Sequence, residues 1–255
     1  MRVTIDTDGR QLVQEDEDGR RVLPLHSPEA FAVLSRFWLE VGWTQKYSYG
    51  FTWMGRPMVQ LPEDVLRIQE VIYRVRPDVI VETGVAHGGS LVFYASLCKA
   101  MDRGRVVGID VDVRPHNRAA IESHPLAGYI TLIEGSSTDE STLRRVRGLV
   151  RPGETVLVLL DSCHSREHVL AELRAYAPLV SKGSYLVATD GIMAEIAGAP
   201  GTRPEWSWDN PRDAARAFAR ERPDFAAEEP AFQFNEGAIA QRVTYWPSAF
   251  LRRVA

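Results

Sequence analysis

A chain of 255 residues, 45% of them hydrophobic, can bury one substantial core, and a net charge of −4 argues against nucleic acid or an anionic membrane as partner. No run approaches the ~18 apolar residues of a membrane span, and no apolar stretch follows a basic start. The two cysteines, Cys98 and Cys163, lie far apart, which fits a reducing compartment, so the expectation is a soluble cytoplasmic protein.

The first residues alternate apolar and polar around Asp-Gly pairs, in "RVTIDTDG" and "RQLVQEDEDGRRVLPL". This predicts a β-hairpin extension over 1–26, ahead of a main domain over 27–255. A lone hairpin is marginal, so it is expected to lean on the core or on a second subunit, in a homo-oligomer. "SPEAFAVLSRFWLE", 27–40, has a Ser cap, Pro at the first helical position and Glu behind it, which predicts a helix. After "KYSYGFTWMGRPMVQLP" an amphipathic helix is predicted over 63–75. Strand-like runs follow at 79–82, 106–110, 130–134, 155–160 and 185–189, with helical segments such as "REHVLAELRAYAPLV" between them. Alternating units of this kind predict a mostly parallel sheet covered by helices on both faces. At the end, "RVTYWPSAFLRRV" has two strand-like halves joined by Pro247-Ser248, which predicts an antiparallel hairpin closing the sheet.

The strand, glycine turn and helix of "VIVETGVAHGGS", 79–90, form a cofactor cradle. A dinucleotide site keeps acids away from this turn, because the pyrophosphate sits on the helix N-terminus. Here Glu82 precedes Gly84, and the spacing of Gly84, Ala86, Gly88 and Gly89 matches the dinucleotide fingerprint only loosely. S-adenosylmethionine carries a positive sulfonium and a positive amino group, which a carboxylate attracts. It is therefore the expected cofactor, with Glu82, Gly84, Ala86, Gly88 and Ser90 around it, against the alternative that Glu82 is a solvated acid at the strand end. In "RVVGIDVDV", Asp110 can accept both ribose hydroxyls, with Asp112 as the alternative acceptor. In "LIEGSSTDE", Ser136 and Ser137 can approach the adenine edge, or serve as ordinary turn residues. His87, in the glycine turn, and His116, in "VRPHN", either line the cofactor or lie on the surface.

"TVLVLLDSCHSREHV" places Asp161 directly after a buried strand, and "YLVATDG" places Asp190 after the next, so both acids emerge at one sheet edge. Paired carboxylates suit Mg²⁺, which takes one or two of them and keeps waters. The alternatives are a helix cap for Asp161 and a turn acid for Asp190. His164 belongs to the loop and can reach a substrate proton; His168 belongs to the helix and reads as a packing residue. With no third soft ligand nearby, zinc does not fit. Beyond these acids, Tyr47, Tyr49, Phe51 and Trp53 alternate in "KYSYGFTW", and the connection "IMAEIAGAPGTRPEWSWDN" carries Trp206 and Trp208. Aromatic faces suit a sugar ring, so Tyr49, Trp53, Trp206 and Trp208 are candidate substrate contacts, against the alternative that they fill a core or a subunit contact. Arg56 or Arg203 could meet the phosphate of a nucleotide-linked sugar.

From about residue 49 onward the chain resembles the cephalosporin hydroxylase / rhamnosyl O-methyltransferase family. The resemblance is carried by "GRPMVQLPEDV", "VETGVAHGGSL", "GIDVDVRPHN", "EGSSTD", "LLDSCHSREHVLAELRAYAPLVSKGSYLV" and the "DNP" at 209–211. It implies a Rossmann-like methyltransferase fold with a seven-stranded sheet, S-adenosylmethionine, a divalent metal such as Mg²⁺, and a sugar or natural-product hydroxyl as acceptor. It further implies that Glu82, Gly84 and Asp110 bind cofactor, Asp161 and Asp190 bind metal, and His164 acts as base. Relatives often carry a second acid beside the one at Asp190, where this chain has Thr189 and Gly191. Water, Thr189, Asp209 or Asn210 would then complete the metal shell. Other roles on the same scaffold are a partner-dependent part in cephalosporin hydroxylation or methoxylation, and a non-catalytic cofactor-binding subunit.

Overall fold

A computed structural model describes residues 1–255. The chain opens with β1 (Arg2–Asp6), β2 (Gln11–Asp16) and β3 (Gly19–Pro24), an antiparallel sheet of three strands in sequence order. The expected hairpin therefore gains a strand, because Asp18-Gly19 reverses the chain a second time after Asp8-Gly9. Leu12, fully buried, lies between Ile5 and Leu23 across this sheet.

Helix α1 (Pro28–Thr44) starts as its chemistry requires: the Ser27 hydroxyl accepts from the Ala30 N–H at 3.2 Å, and Pro28 occupies the first turn. A two-stranded ribbon, β4 (Thr52–Trp53) and β5 (Arg56–Pro57), leads to α2 (Pro62–Val75), which stops where Arg76 turns left-handed at φ 50°. The main sheet is then built from β6 (Val79–Thr83), α3 (Gly89–Ala100), β7 (Arg105–Asp110), α4 (Pro115–Glu122), β8 (Ile130–Glu134), α5 (Glu140–Gly148), β9 (Val156–Leu160), α6 (Arg166–Tyr176), β10 (Tyr185–Ala188), α7 (Pro211–Glu221), β11 (Phe225–Ala227) and β12 (Phe250–Arg253). No helix is long and apolar enough to cross a membrane.

The seven strands lie in the order β11-β12-β10-β9-β6-β7-β8. The five from β6 to β10 are parallel, and β12 runs antiparallel to both β10 and β11. The antiparallel closure exists, but not as the hairpin expected within 242–254. Arg242, Val243 and Thr244 form no strand, and β12 instead pairs with Phe225–Ala227. Two bonds explain the difference: the Tyr245 N–H donates to the Asp64 carboxyl of α2 at 2.8 Å and the Tyr245 carbonyl accepts from the Ile192 N–H at 3.0 Å, so neither backbone group is available to a ladder, while the Thr244 hydroxyl also bonds Asp64.

The central strands are buried on both faces, and their side chains alternate between two cores. Ile80, Leu157, Leu159 and Val187 pack with residues of α2 and α3. Val79, Val81, Val158, Leu160 and Leu186 pack with residues of α6 and α7. The chain leaves β6 toward β7 and β8, then returns to place β9 on the other side of β6. A crevice at such a reversal, outside the carboxyl ends of the strands, is where open α/β sheets bind ligands.

Candidate active site

Backbone bonds bring the strand ends level at this crevice. The Asp161 N–H donates to Thr83 O at 2.9 Å, Gly84 N–H to Ile109 O at 2.8 Å and Thr189 N–H to Leu160 O at 3.1 Å. Gly84 sits at φ 92°, and a Cβ there would lie 1.9 Å from the Asp161 carbonyl oxygen, so only glycine permits this approach. Gly88, at φ 79°, starts α3, with Ile121 packed where its Cβ would be. The turn between them is clamped from outside. Arg56 donates to His87 O at 3.0 and 2.6 Å and to Asn117 Oδ1 at 3.0 Å, and Asn117 Nδ2 donates to Ala86 O at 2.9 Å. Arg56 is thereby committed to the turn rather than free for a substrate phosphate.

A cavity of about 370 Å³ opens over these strand ends, walled by Gly84, Ala86, Asp110, Ser136, Ser137 and Asp161, with Ser162, Cys163 and His168 completing it. Asp110 Oδ2 accepts from the Val85 and Ala86 N–H groups at 2.8 and 3.2 Å, and Oδ1 accepts from Asp112 N–H at 3.1 Å. The Asp110 carboxylate thus holds the glycine turn while facing the cavity. Several expected groups lie elsewhere. Asp112 and His116 are exposed and off the cavity wall. In "PHN" it is the buried Asn117 that supports the turn. Glu82 does not reach the cavity mouth. It is fully buried on the α3 side of β6, the face shared by Ile80, where it accepts from Ser90 Oγ at 2.6 Å and Tyr94 Oη at 3.2 Å. Burial first, and the nearby Asp161 charge second, raise this carboxyl well above the usual range. Glu82 and Ser90 therefore buttress the turn from below.

A second cavity of about 360 Å³ has His164 and Asp190 in its wall. Ligand atoms of Asp161, His164 and Asp190 all lie within 4.8 Å of one another, and His164 Nε2 is 3.4 Å from Asp190 Oδ2. Asp161 is not a helix cap, since Ser165 caps α6. Asp190 is a turn residue at φ 58°. Its burial pushes the carboxyl up to about 7, opposed by His164 and reinforced by Asp161. Two carboxylates and one imidazole held this close, with like charges facing each other, are a donor set that fits a hard divalent cation. Of the candidates to complete the shell, the Thr189 hydroxyl is bound to Asp161 Oδ1 at 2.6 Å, Asp209 accepts from Arg166 N–H, and Asn210 caps α7. His164 is the one further ligand-type side chain grouped with the two acids.

Tyr49 and Trp206 line this second cavity, as do Met193, Pro200 and Gly201 of the long connection. Trp208 is 63% exposed and outside it. Trp53 is also outside: its Nε1 donates to Ser96 Oγ at 3.1 Å, and it packs edge-on to Phe93 at 4.8 Å, as a core residue. Trp43, Tyr245 and Trp246, which no motif marks, also face the cavity. Trp43 stands edge-on to Trp206 and Tyr245, and the Asp64 tether holds the Tyr245–Trp246 segment in place. Gln60, inside "GRPMVQLPEDV", was equally unmarked. It is buried in the wall of the second cavity, 3.5 Å from Asp161 Oδ2, and its Oε1 has no partner.

Comparison with known proteins agrees with this architecture. Residues 45–254 match the family model "Rhamnosyl O-methyltransferase/CmcI". The rhamnosyl O-methyltransferase of Mycobacterium leprae is 30% identical over 72% of this chain and 79% of its own length. That of Mycobacterium tuberculosis is 30% identical over 68% of each chain. Among solved structures, CmcI without ligand superposes with a TM-score of 0.56 at 23% identity, covering 81% of this chain and 77% of CmcI. CmcI with Mg and SAM gives 0.55 at 22% identity, over 81% and 78%. The chain belongs to the rhamnosyl O-methyltransferase/CmcI family and is an O-methyltransferase on a Rossmann-like fold.

Proposed function

We propose that this O-methyltransferase uses S-adenosylmethionine and Mg²⁺ to methylate a hydroxyl of a deoxysugar, rhamnose-like and free or nucleotide-linked, or of a related natural product. One observation carries the reading: the Asp161–His164–Asp190 cluster lies where two cavities meet, one over the glycine turn and one walled by aromatic rings. The first cavity suits the cofactor, with Asp110 toward the ribose and Ser136 and Ser137 toward the adenine. The second suits the acceptor, whose apolar sugar face would lie against Trp43, Tyr49, Trp206 or Tyr245. The names of the mycobacterial relatives support a sugar hydroxyl.

S-adenosylmethionine supplies the methyl group from a sulfonium centre. Asp161 and Asp190 would hold a divalent cation, which would supply positive charge beside the acceptor oxygen. The protein's own part is proton removal and positioning. His164, 3.4 Å from Asp190 Oδ2, is held at the wall of the acceptor cavity, where Nε2 can take the hydroxyl proton. Gln60, in the wall of the acceptor cavity, steadies Asp161, and the surrounding rings exclude water, which favours a reaction in which opposite charges cancel. We further propose a cytoplasmic homo-oligomer. Both cysteines are free thiols, and α1 leaves Phe31, Trp38 and Val41 exposed.

The test is mass spectrometry of sugar and natural-product acceptors incubated with protein, S-adenosylmethionine and Mg²⁺. One added methyl group, lost on chelation and regained with Mg²⁺, is expected. Activity that survives exhaustive chelation would make the acid pair structural.

A further inference from the structure

At the α6 end of the cofactor cavity, His168 makes contacts that a packing histidine does not need. Its Nε2 lies 3.3 Å from Ser137 Oγ, 3.3 Å from Ser162 Oγ and 3.4 Å from Glu172 Oε1. Three segments therefore converge on one ring nitrogen: the loop after β8, the loop after β9, and the next turn of α6. Ser162 Oγ donates to Glu172 Oε1 at 2.8 Å, so its lone pairs face Nε2, and Nε2 carries a proton toward them. Glu172 is fully buried and its Oε2 has no partner. A buried carboxylate left half-satisfied is costly unless a cationic or strongly polarised donor stands beside it. The Glu172 bond raises the His168 imidazole above its usual value, against the opposing effect of burial. An exposed pair one helical turn apart would not call for two serines from other strand ends. Fixing the ring this way aligns its other nitrogen, Nδ1, which takes part in none of these bonds, while the side chain, 28% exposed, walls the cavity.

We propose that His168 recognises the adenine ring of the cofactor through Nδ1, with Ser137, Ser162 and the buried Glu172 fixing the ring by Nε2. This rests on the cofactor reading above. It adds a purine-recognising side chain from α6 to the strand-end groups Asp110, Ser136 and Ser137. Adenine presents both a donor amino group and acceptor ring nitrogens, so an imidazole nitrogen in either protonation state finds a partner on its edge. Glu172 is then a positioning residue, acting only through His168.

The two ring nitrogens can be tested separately, because Asn places an amide near the position of Nδ1 and Gln places one near Nε2. The measurement is the Kd of S-adenosylhomocysteine by calorimetry, beside the melting temperature of each unliganded variant. His168→Ala and His168→Gln are expected to weaken binding by about tenfold, whereas His168→Asn stays within about threefold of the parent. Glu172→Gln, which keeps an oxygen facing Nε2, retains affinity, and Glu172→Leu weakens it by no more than losing every Nε2 bond does in His168→Asn, about threefold. Rescue by Gln and not by Asn would overturn the proposal, since the ring would then serve only Glu172. Unchanged affinity in all three His168 variants would overturn it too. A parent protein that binds no S-adenosylhomocysteine would bring down the cofactor reading itself, a result distinct from either of these.

Discussion

Asp161 is bound on both of its oxygens, by Thr189 Oγ1 at 2.6 Å and Gln60 Nε2 at 3.5 Å, and it stands within ligand distance of His164 and Asp190. Thr189 offers a neutral hydroxyl spent on Asp161, so the cluster has one imidazole and two carboxylates. His164 can then take the acceptor proton or help hold the cation, and one variant separates the roles. His164→Ala is expected to lower kcat by ~10²–10⁴-fold, with S-adenosylhomocysteine affinity nearly unchanged. Recovery of turnover at raised Mg²⁺ would reassign His164 to cation binding. That Asp161, Asp190 and His164 gather in one place was legible because each follows a strand-like run, and parallel strands deliver such residues to one edge. Glu82 was legible as a residue but not in its direction. Alternation along β6 turns it toward α3, and only the position of α3 shows that Ser90 and Tyr94 meet it there. Trp53 and His116 were misassigned because an aromatic or a histidine near a motif carries no signal of which way its element faces.

Two elements hold the site in shape, and each suggests an experiment. The glycine turn is pressed against the end of β9, so Gly84→Ala must push Asp161 away or distort a backbone already at φ 92°. Loss of cofactor binding together with about 1–3 kcal/mol of stability is expected, read by calorimetry and denaturant titration. Retention of parent affinity would mean that the turn is not part of the cofactor site. The second element is the Asp64 tether from α2 to residues 244–245. Burial outweighs the bonds from Thr244 and Tyr245 and pushes the Asp64 carboxyl up to about 8, against 3.8 unperturbed. Between these values the folded protein keeps a proton that the unfolded chain releases. The associated stability is thus complete below about 3.8 and is lost as pH rises through about 8. The melting temperature should fall by roughly 5–10 °C between pH 5 and pH 8 through this group. Asp64→Asn, neutral throughout and able to meet both partners, should flatten that slope. An equal slope in the variant would show that other groups set it. The same contacts explain why the end of the chain forms no hairpin: "RVTYW" has strand composition, but the Tyr245 N–H is taken by the buried Asp64 carboxyl and the Tyr245 carbonyl by the Ile192 N–H.

On the scale of the whole molecule, the alternation of strands and helices was readable because a sheet covered on both faces demands apolar runs whatever it binds. The surface carries less pattern, and its apolar groups are informative only once burial is known. Along α1, Phe31, Trp38 and Val41 recur at helical spacing and remain 42%, 47% and 54% exposed, while Ala30, Ser35 and Leu39 on another face are buried. The helix thus has two apolar faces and only one of them is covered. Tyr47, edge-on to Trp38 at 5.1 Å, extends the exposed face toward the rim formed by Lys46 and Tyr49 at the acceptor cavity. Aromatic residues grouped on one face are characteristic of interfaces, and the simplest closed arrangement is a two-fold pair. Light scattering at micromolar concentration should therefore give at least twice the chain mass of 28.6 kDa. Trp38→Glu places a charge in the centre of that face and should return the protein to the monomer mass, with little change in melting temperature of the separated chain. A parent protein that is already monomeric at that concentration would remove the interface, and an oligomer unaffected by Trp38→Glu would move it away from α1.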